Sequence, residues 1–192
     1  METPSLFASQ LANIAKDQHF RFHQIDENDF PLSDQIKHYW LDLGFDFPGV
    51  EEAWSAVFVS WCVKQAGASI NEFKFASGHA KFVYKAIENQ TGNTGVFRAR
   101  KINEYAPKIG DIIQNNRGGN SFDYAYASAH RDYPSHSAIV VETGVDSNGR
   151  YALTIGGNES DSIRSKIVRV DNKGLIIQRI KSPFICVIQN LK

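Results

Sequence analysis

The 192 residues are 42% hydrophobic and 12% aromatic, enough for one domain with its own core, since a chain of this length buries about 70% of its unfolded surface. Twenty-one basic residues stand against twenty-one acidic ones, for a formal charge of zero. That balance excludes a strongly basic nucleic-acid binder and an acidic disordered chain. Two cysteines, Cys62 and Cys186, make no disulfide framework, and no CxxC or Cys/His cluster points to a structural metal or any other cofactor. No apolar run approaches the ~20 residues that span a bilayer. The start Met1-Glu2-Thr3-Pro4-Ser5-Leu6 has neither a basic nor an apolar leader segment, so the expectation is a chain without a signal peptide, cytoplasmic as made.

The pattern predicts helices first and strands second. Ser5 to about His19 carries apolar residues at Leu6, Leu11, Ile14 and Ala15, a helical spacing. After Pro31, Ser33 is expected to cap a short helix with Ile36, Tyr39, Trp40 and Leu43 on one side and Gly44 as its stop. Asp46 to Gly49 reads as a turn. Ala53–Ala66 is the strongest helix, with Trp54, Val57, Phe58, Trp61 and Cys62 recurring at three and four. Ser77 is expected to start another that runs to Gly92.

Beyond Pro107 the period changes. Gly110 to Gln114 reads as a strand, and 117–134 as a long loop rich in Gly, Ser, Asn and Tyr. Ser137–Thr143 and Tyr151–Ile155 read as a hairpin around the turn Asp146 to Gly149. Ile163–Val170 and Phe184–Ile188 complete the strands. Helices followed by a strand meander indicate an α+β domain, with the helices packed on an antiparallel sheet. The expected division is an N-terminal helical extension, 1–32, and a domain, 33–192.

Three residues carry the expected chemistry. His136 opens one hairpin strand and Asn158 follows the end of the other, so the turn brings them together although they are distant in sequence. An amide beside an imidazole fixes its tautomer and aims its reactive nitrogen. Glu159 and Asp161 are the alternative orienting groups. The candidate nucleophile is Ser55, at the start of the strongest helix, where free N–H groups face a developing oxyanion.

Four segments carry a family resemblance: Trp54-Ser55-Ala56-Val57-Phe58-Val59-Ser60-Trp61, Gly110-Asp111-Ile112-Ile113, Ser135-His136-Ser137-Ala138-Ile139-Val140-Val141 and Ile155-Gly156-Gly157-Asn158. In this order they resemble the papain-like CHAP and NlpC-type cell-wall peptidases, and within that superfamily an uncharacterised bacterial branch with Ser in the nucleophile position. The resemblance covers about 33–190. It implies a single papain-like domain and a hydrolase acting on amide bonds of peptidoglycan peptides, with catalytic Ser55, His136 and Asn158. Trp54, His79 and Tyr133 are the candidate substrate contacts, and no metal is implied.

In the peptidases the residue after that Trp is a nucleophilic Cys; here it is Ser55. Three readings follow: a serine hydrolase on a papain-like frame, a non-catalytic module that binds cell-wall fragments or a protein, or a Cys-to-Ser inactivated form of a cysteine hydrolase. The hydrolase reading extends to an antibacterial effector, exported by a leaderless route to the periplasm of a target cell and opposed there by an inhibitor or immunity protein. Neither nucleic acid nor a membrane span is expected as a partner.

Overall fold

A computed structural model of the chain describes residues 3–192. Four helices precede the sheet: α1 (Leu6–Phe22), α2 (Leu32–Asp42), α3 (Ser55–Gln65) and α4 (His79–Gly92). The strands are β1 (Phe97–Arg100), β2 (Ile112–Asn116), β3 (Ser135–Asp146), β4 (Gly149–Gly156), β5 (Arg164–Arg169) and β6 (Phe184–Asn190), with the short helix α5 (Tyr124–Ala129) between β2 and β3. All pairings are antiparallel, in the order β1-β6-β2-β3-β4-β5. The mixed α+β class is as the sequence indicates. Among the described residues no helix is long and apolar enough to cross a membrane.

The main core lies between the helices and one sheet face. Phe7, Leu11 and Phe22 of α1 share it with Val57, Phe58 and Val63 of α3 and with Ile139 and Val141 of β3. The expected extension 1–32 therefore belongs to the same core as the rest. Ser5 Oγ accepts from Ala8 N at 3.1 Å and donates to the Lys192 carbonyl at 2.6 Å, so it caps α1 and ties the two chain ends together. Helix α3 is buried over eight of its eleven residues, as befits a helix apolar nearly all round. A smaller apolar cluster, including Ile113, Val140, Val168 and Phe184, covers the other sheet face.

Several boundaries differ from the expected ones. Helix α2 starts at Leu32 directly after Pro31, so Ser33 lies inside the helix and does not cap it. Helix α4 follows Gly78 rather than Ser77, and α3 begins at Ser55 rather than Ala53. Strand β1 is only four residues long and lies at the sheet edge, too short to register as a period. Within 117–134, α5 forms because the Asp123 side chain accepts from Tyr126 N. The Asp146–Gly149 turn is as expected, with Asp146 paired to Gly149.

Candidate active site

Helix α3 opens the site. Its N-cap position is Trp54, which offers no side-chain cap, so the first N–H groups of the helix have no side-chain acceptor there. Ser55 Oγ lies 2.7 Å from His79 Nε2, the first residue of α4. Both are sealed, Ser55 at 2% exposure and His79 at 6%. Among the described residues the Ser55 hydroxyl has no other acceptor; with the hydroxyl donating to Nε2, the ring proton is assigned to Nδ1. That Nδ1 is buried without a partner among the described residues. Burial above all, then the proximity of His136 and of Arg117, holds the His79 imidazole well below the ordinary histidine range. His79 is therefore neutral, with Nε2 facing the Ser55 hydroxyl.

A second imidazole stands edge-on to the first: the His79 and His136 ring centroids are 5.4 Å apart at 62°. His136 Nε2 lies 2.6 Å from Glu159 Oε1, and the other carboxylate oxygen lies 2.5 Å from Lys166 Nζ. Burial pushes the Glu159 carboxyl upward, but the bonds and charges of His136 and Lys166 outweigh it and hold the carboxyl below its ordinary range. An ionised Glu159 only accepts, so Nε2 of His136 donates and, in the neutral ring, Nδ1 is the free lone pair.

The hairpin places this pair. Ile139 is opposite Ile155, which brings the start of β3 beside the residues that follow β4. The two glycines there are required for close approach. A Cβ on Gly156 would stand 2.5 Å from Glu159 Oε1 and 2.8 Å from His136 Nε2; one on Gly157 would stand 2.6 Å from the Trp54 ring and 2.7 Å from Phe58 Cβ. The following loop is strained, with Asn158, Ser160 and Asp161 all at φ near +50°.

Glu27, from the turn before α2, holds that loop. Its Oε2 accepts from Trp54 Nε1 at 2.8 Å and from Asn158 Nδ2 at 2.7 Å. Its backbone N–H donates to the Asp161 carbonyl at 2.7 Å, and Ser162 Oγ is within hydrogen-bonding distance of the carbonyls of Phe22 (2.9 Å) and Ile25 (2.8 Å). One carboxylate thus fixes the residue before Ser55 and the residue before Glu159.

These contacts correct several expectations. Ser55 bonds His79, not His136, and His136 meets the pair through its edge-on contact with the His79 ring. Asn158 does not orient His136: its amide is used by Glu27, and the carboxylate of the next residue takes the expected place. The substrate contacts expected at Trp54, His79 and Tyr133 are all interior. Trp54 is fully buried, His79 is bonded to Ser55, and the Tyr133 hydroxyl donates to Gln114 Oε1 at 3.1 Å. Cys62 and Cys186 are buried free thiols. Asp111 of the Gly110-Asp111 segment is buried, accepts from Lys108 N and Asn190 N, and is pushed by burial up to about 7; it joins β2 to the chain end. Glu27 and Lys166 went unnoticed in the sequence because neither sits in a motif.

A cleft of about 490 Å³ adjoins the His136–Glu159 pair, and Asn115, Asn158, Lys166 and Arg179 are among the residues that line it. Ser55 is not in its wall.

The molecule is thus a single mixed α+β domain whose helix layer and antiparallel sheet meet at a two-histidine centre. Its sequence matches the family model described as an uncharacterized protein conserved in bacteria (DUF2272) over residues 30–186, and the chain belongs to that family. No curated protein and no solved structure matches it.

Proposed function

We propose that this protein is a papain-like hydrolase that cleaves amide bonds in peptidoglycan peptides, with Ser55 in the nucleophile position. The observation that carries the reading is the 2.7 Å contact between Ser55 Oγ and His79 Nε2 at the N-terminus of α3. A hydroxyl becomes a nucleophile when a neighbouring base takes its proton. Here Ser55 Oγ bonds to the carbonyl carbon as its proton passes to His79 Nε2. The first N–H groups of α3 stabilise the oxyanion. The C–N bond then breaks and the proton leaves with the amine, and water releases the acyl group by the same steps in reverse. His136, held by Glu159, lines the cleft and meets the His79 ring edge-on. The order of helix nucleophile, strand histidine and hairpin-end polar residue supports the papain-like assignment.

One observation favours a second reading, a binding module without turnover: Ser55 is 2% exposed and outside the cleft wall. The deciding measurement is muropeptide release from purified sacculi, paired with mass spectrometry after treatment with a fluorophosphonate. A hydrolase releases muropeptides and gains one adduct on Ser55, and Ser55→Ala and His79→Ala lose both. A chain that binds sacculi, releases nothing and takes no adduct overturns the hydrolase reading.

A further inference from the structure

The chain carries no net charge, yet the cleft does. Arg117, Lys166, Arg179 and Lys181 line it, against the single carboxylate of Glu159. That carboxylate is already matched by His136 and Lys166. Among the described residues, Arg117, Arg179 and Lys181 have no acidic partner within 4.0 Å.

Two of these cations sit on a loop whose shape is fixed from within. Gln178 closes it: its Nε2 donates to the Phe184 carbonyl at 2.8 Å, and its Oε1 accepts from Phe184 N at 2.7 Å and from Arg179 N at 3.0 Å. Ser182 completes the turn at φ +51°, a conformation that costs energy for a residue with a side chain. Arg179 is positioned further: its Nε donates to the Ser182 carbonyl at 2.9 Å and its guanidinium lies 4.3 Å over the Phe184 ring. Those contacts leave both Nη groups without an acceptor among the described residues. A guanidinium held by its Nε and its face, with the Nη edge free, is prepared to take two oxygens of one anion.

We propose that this cleft binds an anionic oxygen group of the ligand, a carboxylate or a phosphate, through Arg179, Lys181 and Arg117. Ile113, Val168 and Phe184 also line the cleft, giving apolar contact beside these cations for the group that carries the anion. The volume lies within the roughly 300–1,000 Å³ of small-ligand sites. This deepens the hydrolase reading by giving its substrate a charged end, and rests on that reading only for the cleavage that follows binding.

The test is binding, followed by amide resonances in ¹⁵N NMR and by calorimetry. Three probes are titrated at low and high salt: N-acetyl-alanyl-alanine with a free carboxylate, the same peptide as its C-terminal amide, and inorganic phosphate. The expected result is that at least one anionic probe binds about 10-fold or more tightly than the neutral amide. Salt should weaken that binding, and the shifted resonances should centre on 115–118 and 178–184. Arg179→Gln and Lys181→Gln should each weaken it several-fold, while Lys173→Gln, on a turn outside the cleft, should not. Preference for the free carboxylate identifies a peptide end as the source; binding of phosphate alone identifies a phosphate ester; either supports the proposal. Equal affinity for amide and acid with no binding of phosphate, or binding of anions that survives both substitutions, overturns it. An anion bound without muropeptide release leaves this site standing and sinks only the hydrolase reading.

Discussion

Ser55 Oγ and His79 Nε2 share a 2.7 Å hydrogen bond while His79 Nδ1 is buried with no partner among the described residues. The arrangement suits a neutral ring and penalises a charged one, because an imidazolium there would be desolvated beside His136 and Arg117. The sign of the pH effect follows. The folded-state pKa is below the unfolded one, so the unfolded chain binds the extra proton first as pH falls. The stability that His79 supplies is complete above about pH 6.5 and is lost progressively below it. In urea melts from pH 7.5 to 4.5, His79→Gln should show a shallower decline than the native chain over the acid half of that range. Parallel curves for the two proteins would remove the neutral, buried imidazole from this account.

The two adjacent glycines should fail in different ways. The nearest atoms to a Cβ on Gly156 are the ends of the Glu159 and His136 side chains, which must separate to admit it. Gly156→Ala should therefore break the 2.6 Å pair, visible as loss of the low-field His136 Nε2–H proton resonance, at a cost of about 1–3 kcal/mol for the separated groups. A Cβ on Gly157 meets Phe58 Cβ and the Trp54 ring, both fixed in the core. Gly157→Ala should cost about 1–3 kcal/mol as overpacking does, measured by chemical denaturation. An intact His136 resonance in Gly156→Ala, or a tolerant Gly157→Ala, would contradict the packing described.

Glu27 is expected to matter through its acceptor oxygen. Truncation in Glu27→Ala leaves the buried Trp54 Nε1–H without an acceptor and frees Asn158, which should cost about 2 kcal/mol, since a stranded buried donor costs ~1–3. Glu27→Gln keeps an oxygen able to accept both bonds and should recover most of that loss. Denaturation midpoints of the two variants decide it; equal damage from both would mean that the charge, not the acceptor, holds the loop.

The class of fold and the neighbourhood of the site were legible because they rest on short-range regularities. Period 3.6 marked α3, period 2 and the Asp146–Gly149 turn marked the hairpin, and the hairpin register alone brings His136 beside 158–159. Which of those two residues turns inward was not legible. That depends on Asn158 adopting φ +54° and on its amide being drawn off by Glu27, 131 residues away, a contact with no local signature. His79 lay in plain view at a helix start but without a motif, and its pairing with Ser55 depends on how α4 packs against the start of α3. Strand β1 has no sequence signature, because four residues at a sheet edge, Phe97–Arg100, carry too little alternation to distinguish them from a loop.

A cysteine at position 55 gives the most direct view of the centre. A thiol starts near pKa ~8.5 and is lowered at a helix N-terminus beside an imidazole, whereas a hydroxyl there stays protonated until attack. The two natural thiols supply an internal control. Both are buried; burial pushes Cys62 well up and Cys186 up to about 12. Iodoacetamide should therefore alkylate folded Ser55→Cys at position 55 alone, with a half-maximal rate below pH ~8.5 that moves upward when His79→Asn is added. On the proposed papain-like reading this position is one that a thiolate fills, and a ~1 Å difference in where the nucleophile sits can cost ~100-fold. Ser55→Cys should accordingly release muropeptides from sacculi at least as fast as the native chain, and Ser55→Ala not at all. If the folded variant resists alkylation at position 55 while the unfolded variant is alkylated at positions 55, 62 and 186, the nucleophile is sealed from ligand. The fold then holds its Ser–His pair for structure, and the hydrolase reading gives way to the binding module.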